Sequence, residues 1–297
     1  MLGVSLLSDK IREIEFDRLS GASQIARNAL GVLRVFVQTS KHETCGGFIE
    51  DFREVGRRLF EARPNMAPVQ NLVAQTVYEV STLEEHDLVS VRKFALSKID
   101  KLCKQSEVAI KKCAELGATI IGDSDCLASC SDSSTVCETF SKAKQQGKSF
   151  KVYVAESKSD DNKFRYGEVM ATFLKSINVP AEVFLDNEIH SYVPKAKCVL
   201  VGADSVLFDG SVINGKPTYE LAVAAKECGI PFYSVCETSK ANALSYLGKN
   251  VDLKEGFDLI PANLITGITT ERGILGASAI VEIMKETSKF FEIFHIK

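Results

Sequence analysis

The sequence predicts an α/β chain in which a helical N-terminal domain, residues 1–120, precedes a parallel β-sheet flanked by helices, residues 121–297. Through the first 120 positions apolar residues recur at steps of three and four, the period of a helix with one buried face. After Gly122 short β-rich runs alternate with amphipathic segments of about ten to fifteen residues, the signature of a parallel sheet covered on both faces. The chain is 297 residues long, 45% apolar and 25% charged, enough for a large core. That balance excludes a disordered chain and a small disulfide scaffold.

Ile11, Ile14 and Leu19 lead into a helix over 24–37, and a second helix, 48–61, follows the Gly46-Gly47 break. Arg63-Pro64 imposes an extended step before the next helix, because the residue before a proline is pushed out of the helical region. Leu88, Val91, Ala95, Ile99 and Leu102 mark a long helix, with Ser81 and Glu84, three apart, as its capping pair. Residues 118–121 either close this helical half or open the first strand. Strands are expected over 126–129, 151–155, 181–185, 198–201 and 231–235, with helices over 134–145, 166–177 and 218–228. In such a sheet ligands bind beyond the carboxyl ends of the strands. The sequence has no internal repeat and no low-complexity stretch.

Thirty-six Lys and Arg against 39 Asp and Glu leave a formal net charge of −3, so no global positive field draws the chain to nucleic acid. Residues 1–7 are short and apolar with no basic residue ahead of them, which predicts no signal peptide and a reducing, cytoplasmic setting. No apolar run approaches the roughly 18 residues of a membrane span. Cys126 and Cys130 stand in a C-x3-C arrangement with Cys137 nearby, but none of the four histidines, His42, His86, His190 and His295, is close in sequence. Ordinary buried thiols are favoured over a zinc site, and no metal or cofactor is expected.

Ser129, Cys130, Ser131, Asp132, Ser133, Ser134 and Thr135 run from the first expected strand into a helix. Small hydroxyl residues at such a turn either hold a phosphate against the helix N-terminus or serve as a plain N-cap. Asp204 leaves the hydrophobic run Val199 to Ala203 at the edge where a pocket belongs. There it is either a general acid or base, or a turn acid. Asp209, Gly210, Asn214, Gly215, Lys216 and Pro217 form an expected long turn before the helix at Thr218, with Lys216 a candidate phosphate contact. Arg18 and Gly21-Ala22-Ser23 precede a helix, Arg63 opens one, and Lys240 follows a strand; together they supply positive charge for one phosphorylated ligand.

Gly202-Ala203-Asp204 with Asn214 and Thr218-Tyr219, then Ile230-Pro231-Phe232-Tyr233, Phe257-Asp258-Leu259-Ile260-Pro261, Leu264-Ile265-Thr266 and Thr270-Glu271-Arg272-Gly273, form an ordered set. This set resembles the family uniting the alpha, beta and delta subunits of translation initiation factor 2B, their archaeal homologues, and the isomerases of methylthioribose 1-phosphate and ribose 1,5-bisphosphate. The resemblance covers about residues 20–273 and implies a helical N-terminal domain followed by a Rossmann-like parallel sheet domain. The isomerases carry a cysteine in a T-H-C-N-S type motif, paired with the aspartate of G-A-D, where the factor subunits have a serine. Aligned without gaps, Ser129 falls at the threonine, Cys130 at the histidine and Ser131 at the catalytic cysteine, while Asp204 keeps the acid. A one-residue offset brings Cys130 to the site instead.

Other positions depart from the family pattern. Its E-S-R-P reads Glu156, Ser157, Lys158, Ser159 here, and Gly167 comes about four residues late, so the intervening loop is longer and the bidentate arginine is gone. Its N-K-x-G-T reads Asn214, Gly215, Lys216, Pro217, Thr218, with the lysine shifted. The resemblance therefore implies a regulatory-subunit-like protein with a sugar- or nucleotide-phosphate pocket, Asp204 and Ser131 (alternatively Cys130) at its centre. Around them stand Arg18, Gly21, Ala22, Ser23, Arg63, Ser133, Lys158, Asn214, Lys216 and Lys240 as ligand contacts. The alternative is a ribose 1,5-bisphosphate isomerase. Expected partners are further copies of the chain in a dimer or higher oligomer, initiation factor 2 subunits and a phosphorylated small molecule, without nucleic acid or membrane. The apolar runs 259–268 and 274–283 exceed what one sheet layer needs.

Overall fold

The computed structural model describes residues 2–84 and 87–296, so His86 lies outside the described residues. The helical half consists of α1 (Leu2–Phe16), α2 (Ala22–Thr39), α3 (Cys45–Ala62), α4 (Ala67–Ser81) and α5 (Leu88–Gly117). The Thr44 hydroxyl starts α3 by accepting from the Gly47 amide at 3.3 Å. Arg63 ends it at φ −136°, the extended step that Pro64 enforces. Gly56 lets α3 lie close against α4, since a Cβ there would sit 2.4 Å from a Val77 methyl. The expected start signal of the long helix is displaced. Ser81 is the last residue of α4, and α5 is capped instead by Asp87, whose carboxylate accepts from the Ser90 amide at 2.9 Å.

At 30 residues α5 is about 45 Å long and belongs to two cores. Its first half buries Val91, Ala95, Ile99 and Leu102 among the other helices, and its second half buries Cys113 and Ala114 beneath the sheet. A single 3-10 turn, Ala118–Ile120, then closes the helical half. No strand interrupts the described residues before it.

The sheet half runs β1 (Asp125–Cys130), α6 (Ser134–Gln145), β2 (Phe150–Ala155), α7 (Tyr166–Ser176), β3 (Ala181–Phe184), the short α8 (Ile189–Tyr192) and β4 (Cys198–Val201). It continues with β5 (Ser205–Val206), β6 (Val212–Gly215), α9 (Thr218–Glu227), β7 (Phe232–Val235), the short α10 (Ala243–Tyr246), β8 (Phe257–Ile260), β9 (Gly267–Thr270), β10 (Gly273–Leu275) and α11 (Ala277–Ser288). Seven strands form the main sheet in the order β10-β9-β7-β4-β1-β2-β3. All its pairs are parallel except β9 with β10. Helices α6 and α7 cover one face, while α8, α9 and α11 cover the other. The chain steps outward from β1 to β2 and β3, then returns to the opposite side of β1 as β4. The strand order therefore reverses between β1 and β4, and a crevice opens beyond their carboxyl ends.

Two segments differ from the expectation. The long turn expected over 209–217 is a hairpin: β5 and β6 pair antiparallel and β8 adds a third strand. Asp209-Gly210 makes its turn, with Gly210 at φ +82° and the Leu207 amide donating to the Ser211 carbonyl at 2.8 Å. The apolar runs near the end are divided in use. Ile260, Ile268, Ile280 and Ile283 are buried, whereas Leu259 and Ile274 are exposed.

After α11 a 3-10 segment, Lys289–Phe294, leaves the sheet and packs on the helical half. Phe291 is fully buried there, edge to face with Phe60 at 5.1 Å, and Phe290 meets Tyr78 at 5.5 Å. Phe291→Ala should lower the unfolding free energy by about 3–5 kcal/mol, because it leaves a cavity among the helices, and urea denaturation followed by circular dichroism measures it. A midpoint within error of wild type would show that this segment is not part of the cooperative core.

Candidate functional site

A cavity of about 460 Å³ opens where the strand order reverses, the size of a small-molecule site. Behind it lies a recess of about 40 Å³, and Gly21, Ser131, Asp132 and Asp204 line both. One wall belongs to the sheet edge and the other to the helical half. The walls are tied by buried hydrogen bonds: the Ser205 hydroxyl donates to the Asn65 carbonyl at 2.9 Å and accepts from the Ala67 amide at 3.2 Å. Asn65 reaches the Asp252 carbonyl and the Lys254 amide, and the Asn71 amide group donates to the Ser239 and Ala241 carbonyls, both at 2.8 Å.

Ser131 follows the last residue of β1 at φ +63°, a region that non-glycine residues rarely enter, so the chain leaves the strand sharply. Its amide donates to the Ser157 hydroxyl at 2.6 Å. The next residues wrap the recess, and Ser133 caps α6 by accepting from the Val136 amide at 3.4 Å. The cap and the cradle are thus one structure, because Ser131, Asp132, Ser133, Ser134 and Thr135 also line the recess. Gly21 begins α2 opposite, and a Cβ there would lie 3.7 Å from the Ser134 hydroxyl. The N-termini of α2 and α6 therefore converge on the recess, and both project positive helix-dipole ends. Asp132 opposes them in part, and burial pushes its carboxyl above the usual range.

Asp204 follows β4 and shares the crevice with Ser131, as the neighbouring strands β1 and β4 require. Burial pushes its carboxyl up, while the charges of Lys240 and Arg63 pull it down. Lys240, buried in a 3-10 turn after β7, lines the recess with Asn214, Ala22 and Ser23. Arg63 does not open a helix, as the sequence led us to expect, but ends α3. Its Nε donates to the Ile14 carbonyl at 2.9 Å, and its Nη2 is buried without a hydrogen-bond partner. Burial lowers the Arg63 pKa against the pull of Asp17 and Asp204. Arg18, Lys158 and Lys216 ring the outer cavity.

Cys130 stands apart from the cavity lining. Its thiol is buried, 3.2 Å from the Thr218 hydroxyl, and burial pushes it up to about 12. Thr218 in turn accepts from Asn214 at 2.9 Å and donates to the Gly215 carbonyl at 2.5 Å. Cys236 is the one cysteine among the described lining residues, its thiol also pushed up to about 12 by burial, with Glu237 adding to the effect. No described group of three or more His, Cys, Asp and Glu is placed to hold a metal ion, and no described helix is long and apolar enough to cross a membrane.

Sequence reasoning missed Asn65, Asp160, Asp161 and Tyr166, and read Ser157 only as part of the altered E-S-R-P segment. All five line the outer cavity, and Ser157, Asp160 and Asp161 belong to the longer loop before Gly167. That loop folds back because Gly167 sits on the end of β2, where a Cβ would come 1.9 Å from the Ala155 carbonyl oxygen.

Burial raises Asp204 in the folded state above its ordinary value near 3.8, so its contribution to stability is fully present below that value and lost as pH rises through the folded value. Asp204→Asn removes this loss. Urea midpoints taken from about pH 3 to about pH 8 should shift progressively in favour of the variant, and a difference that is flat with pH would contradict the raised carboxyl.

The profile of the initiation factor 2 subunit family matches residues 18–256. A relative from Pyrococcus abyssi, named as a translation initiation factor eIF-2B subunit 2-like protein, is 31% identical over 288 residues, 91% of this chain and 98% of that one. The ribose 1,5-bisphosphate isomerase of Pyrococcus furiosus is 27% identical over 306 residues, 94% of this chain and 92% of that one. In fold, the chain is similar to one chain of the tetrameric eIF2B-beta2-delta2 complex of C. thermophilum, with a TM-score of 0.80, 18% identity, and coverage of 96% of this chain and 95% of that one. The reversed strand order, the helical wall and the G-A-D edge thus coincide with a profile match over most of the length, and the chain belongs to the initiation factor 2 subunit family.

Proposed function

We propose that this chain is a regulatory-subunit-like member of the initiation factor 2B group, with little or no catalysis of its own, whose cavity binds a sugar- or nucleotide-phosphate. The observation that carries this reading is the residue at the turn after β1. Ser131 borders the cavity while the Cys130 thiol is turned to Thr218. An aldose-ketose isomerisation through an enediol needs groups that give and take a proton near neutral pH, and a serine hydroxyl ionises far above a thiol. The phosphate reading draws on the buried, unpartnered Nη2 of Arg63, on Lys240 and on the two converging helix N-termini. The left-handed backbone of Ser131 supports it further, since strain of this kind gathers at ligand clamps.

A ribose 1,5-bisphosphate isomerase is the second reading, favoured by likeness to the Pyrococcus furiosus enzyme and by Asp204, whose raised carboxyl suits proton transfer. Purified protein incubated with ribose 1,5-bisphosphate separates the two. Ribulose 1,5-bisphosphate should form at or near the background rate, because losing one acid or base worth about 10² to 10⁴ in rate raises the barrier by roughly 3 to 5 kcal/mol. Ser131→Cys should recover a trace of activity, and Cys130→Ala should change nothing chemical. Robust wild-type turnover abolished by Asp204→Asn would make this an enzyme.

Binding is tested separately, by calorimetry with ribose 1,5-bisphosphate, ribose 5-phosphate and AMP. Arg63→Ala should weaken the best of the three by at least about tenfold, the scale of one charge-assisted contact. In the cell we place the protein in the cytoplasm as a dimer or larger assembly, with initiation factor 2 subunits as candidate partners. The exposed Leu259 and Ile274 offer apolar surface for such an assembly. A monomer mass by light scattering at micromolar concentration would remove the oligomer.

A further inference from the structure

The loop between β2 and α7, residues 156–165, reaches across the cavity mouth. A bridge between Lys158 and Arg165 closes its base. Its tip is shaped by Asp161, which accepts from the Ser159 hydroxyl at 2.7 Å and from the Lys163 amide at 3.3 Å, while Asn162 takes φ +59°. Two neighbouring carboxylates project from this tip to opposite walls. Asp161 accepts from Arg18 Nη1 at 2.8 Å, on the helical side, and Asp160 lies 3.2 Å from Lys216 Nζ, on the sheet side. Both cations line the outer cavity, as do both carboxylates. The Ser159 and Lys163 hydrogen bonds, with Arg18, hold Asp161 down at about 2, so it is charged throughout the physiological range. All four side chains are between a third and just over half exposed, and ion pairs of that kind are weak and readily exchanged.

We propose that this acidic loop is a built-in competitor for the ligand's outer phosphate: when closed it occupies Arg18 and Lys216, and a phosphorylated ligand reaching the mouth displaces it and takes the same two cations. The proposal rests on the phosphate reading of the cavity. The deeper cations, Arg63 and Lys240, stay available while the loop is closed, since neither forms an ion pair with it. The loop therefore sets the concentration at which the cavity fills without covering its floor. Asparagine at 160 and 161 removes the charge but keeps an oxygen able to accept the turn's hydrogen bonds, so the loop shape survives the test.

The experiment compares the Kd of ribose 1,5-bisphosphate and of AMP for wild type, Asp160→Asn/Asp161→Asn, and a Glu107→Gln/Glu286→Gln control. The control removes the same charge from exposed positions that do not line the cavity. The loop variant should bind at least one probe about tenfold more tightly and the control should match wild type. In wild type, hydrogen exchange over 158–165 should speed up when the probe is added. Equal affinity in wild type and loop variant, or slower exchange on binding, would overturn the competitor while leaving the phosphate cavity intact. If neither probe binds wild type or variant, the phosphate reading falls and the competitor with it.

Discussion

The cavity exists because the polar segment between α3 and α4 is hydrogen-bonded to the sheet edge in the interior of the protein. Ser205 satisfies the Asn65 carbonyl and the Ala67 amide, the Ala67 amide also reaches the Asp204 carbonyl at 3.2 Å, and Asn71 holds the chain after β7. Each such bond contributes about 0.5–1.5 kcal/mol net, but a buried partner left without one costs about 1–3 kcal/mol, so the set is far more selective than it is strong. A helical layer docked one residue out of place leaves several of these groups unpaired at once. Apolar packing between layers tolerates sliding far better. The hydrogen bonds thus fix Arg63 and the turn at 17–21 against Asp204.

Held this way, the site concentrates charge where water is scarce. Asp204 and Asp132 are pushed up by burial and Arg63 is pulled down by it, which marks both signs as incompletely solvated. Asp17 is different: burial raises it, but the Ser20 and Leu19 amides more than offset that, and the carboxylate shapes the turn leading to α2. Carboxylates and cations surround one cavity, and one arginine nitrogen there is buried with no protein hydrogen-bond partner, which is the observation behind the phosphate ligand proposed above.

Periodicity made the alternating core of the sheet half legible. The helix at 134–145 and the strand at 198–201 coincide with α6 and β4, because each is bounded by a local signal, a serine cap or a change of period. Other signals were present but outcompeted. Asp209-Gly210 between apolar residues announces a hairpin, yet the βα pattern around it reads as one long turn. Ser81 and Glu84 fit a capping box, but Asp87 stands next to the helix and wins. What no window reveals is contact across the fold. Asn65 and Ser205 are 140 positions apart, and Arg18 and Asp161 are 143 apart. Cys130 and Ser131 are adjacent, so spacing alone leaves both open, and the left-handed turn at Ser131 decides which one borders the cavity.

Phe291 also bears on how the protein is made. The five helices come first in the chain, and their shared core includes a ring that follows the whole sheet. A ribosome therefore releases the helices with one face still open, and that face closes only after the sheet has been synthesised. Domain-by-domain folding from the N-terminus is the usual order, and here it is interrupted. Until the last turn docks, the nascent helical layer carries exposed apolar surface, the kind of surface that a chaperone or an assembly partner recognises.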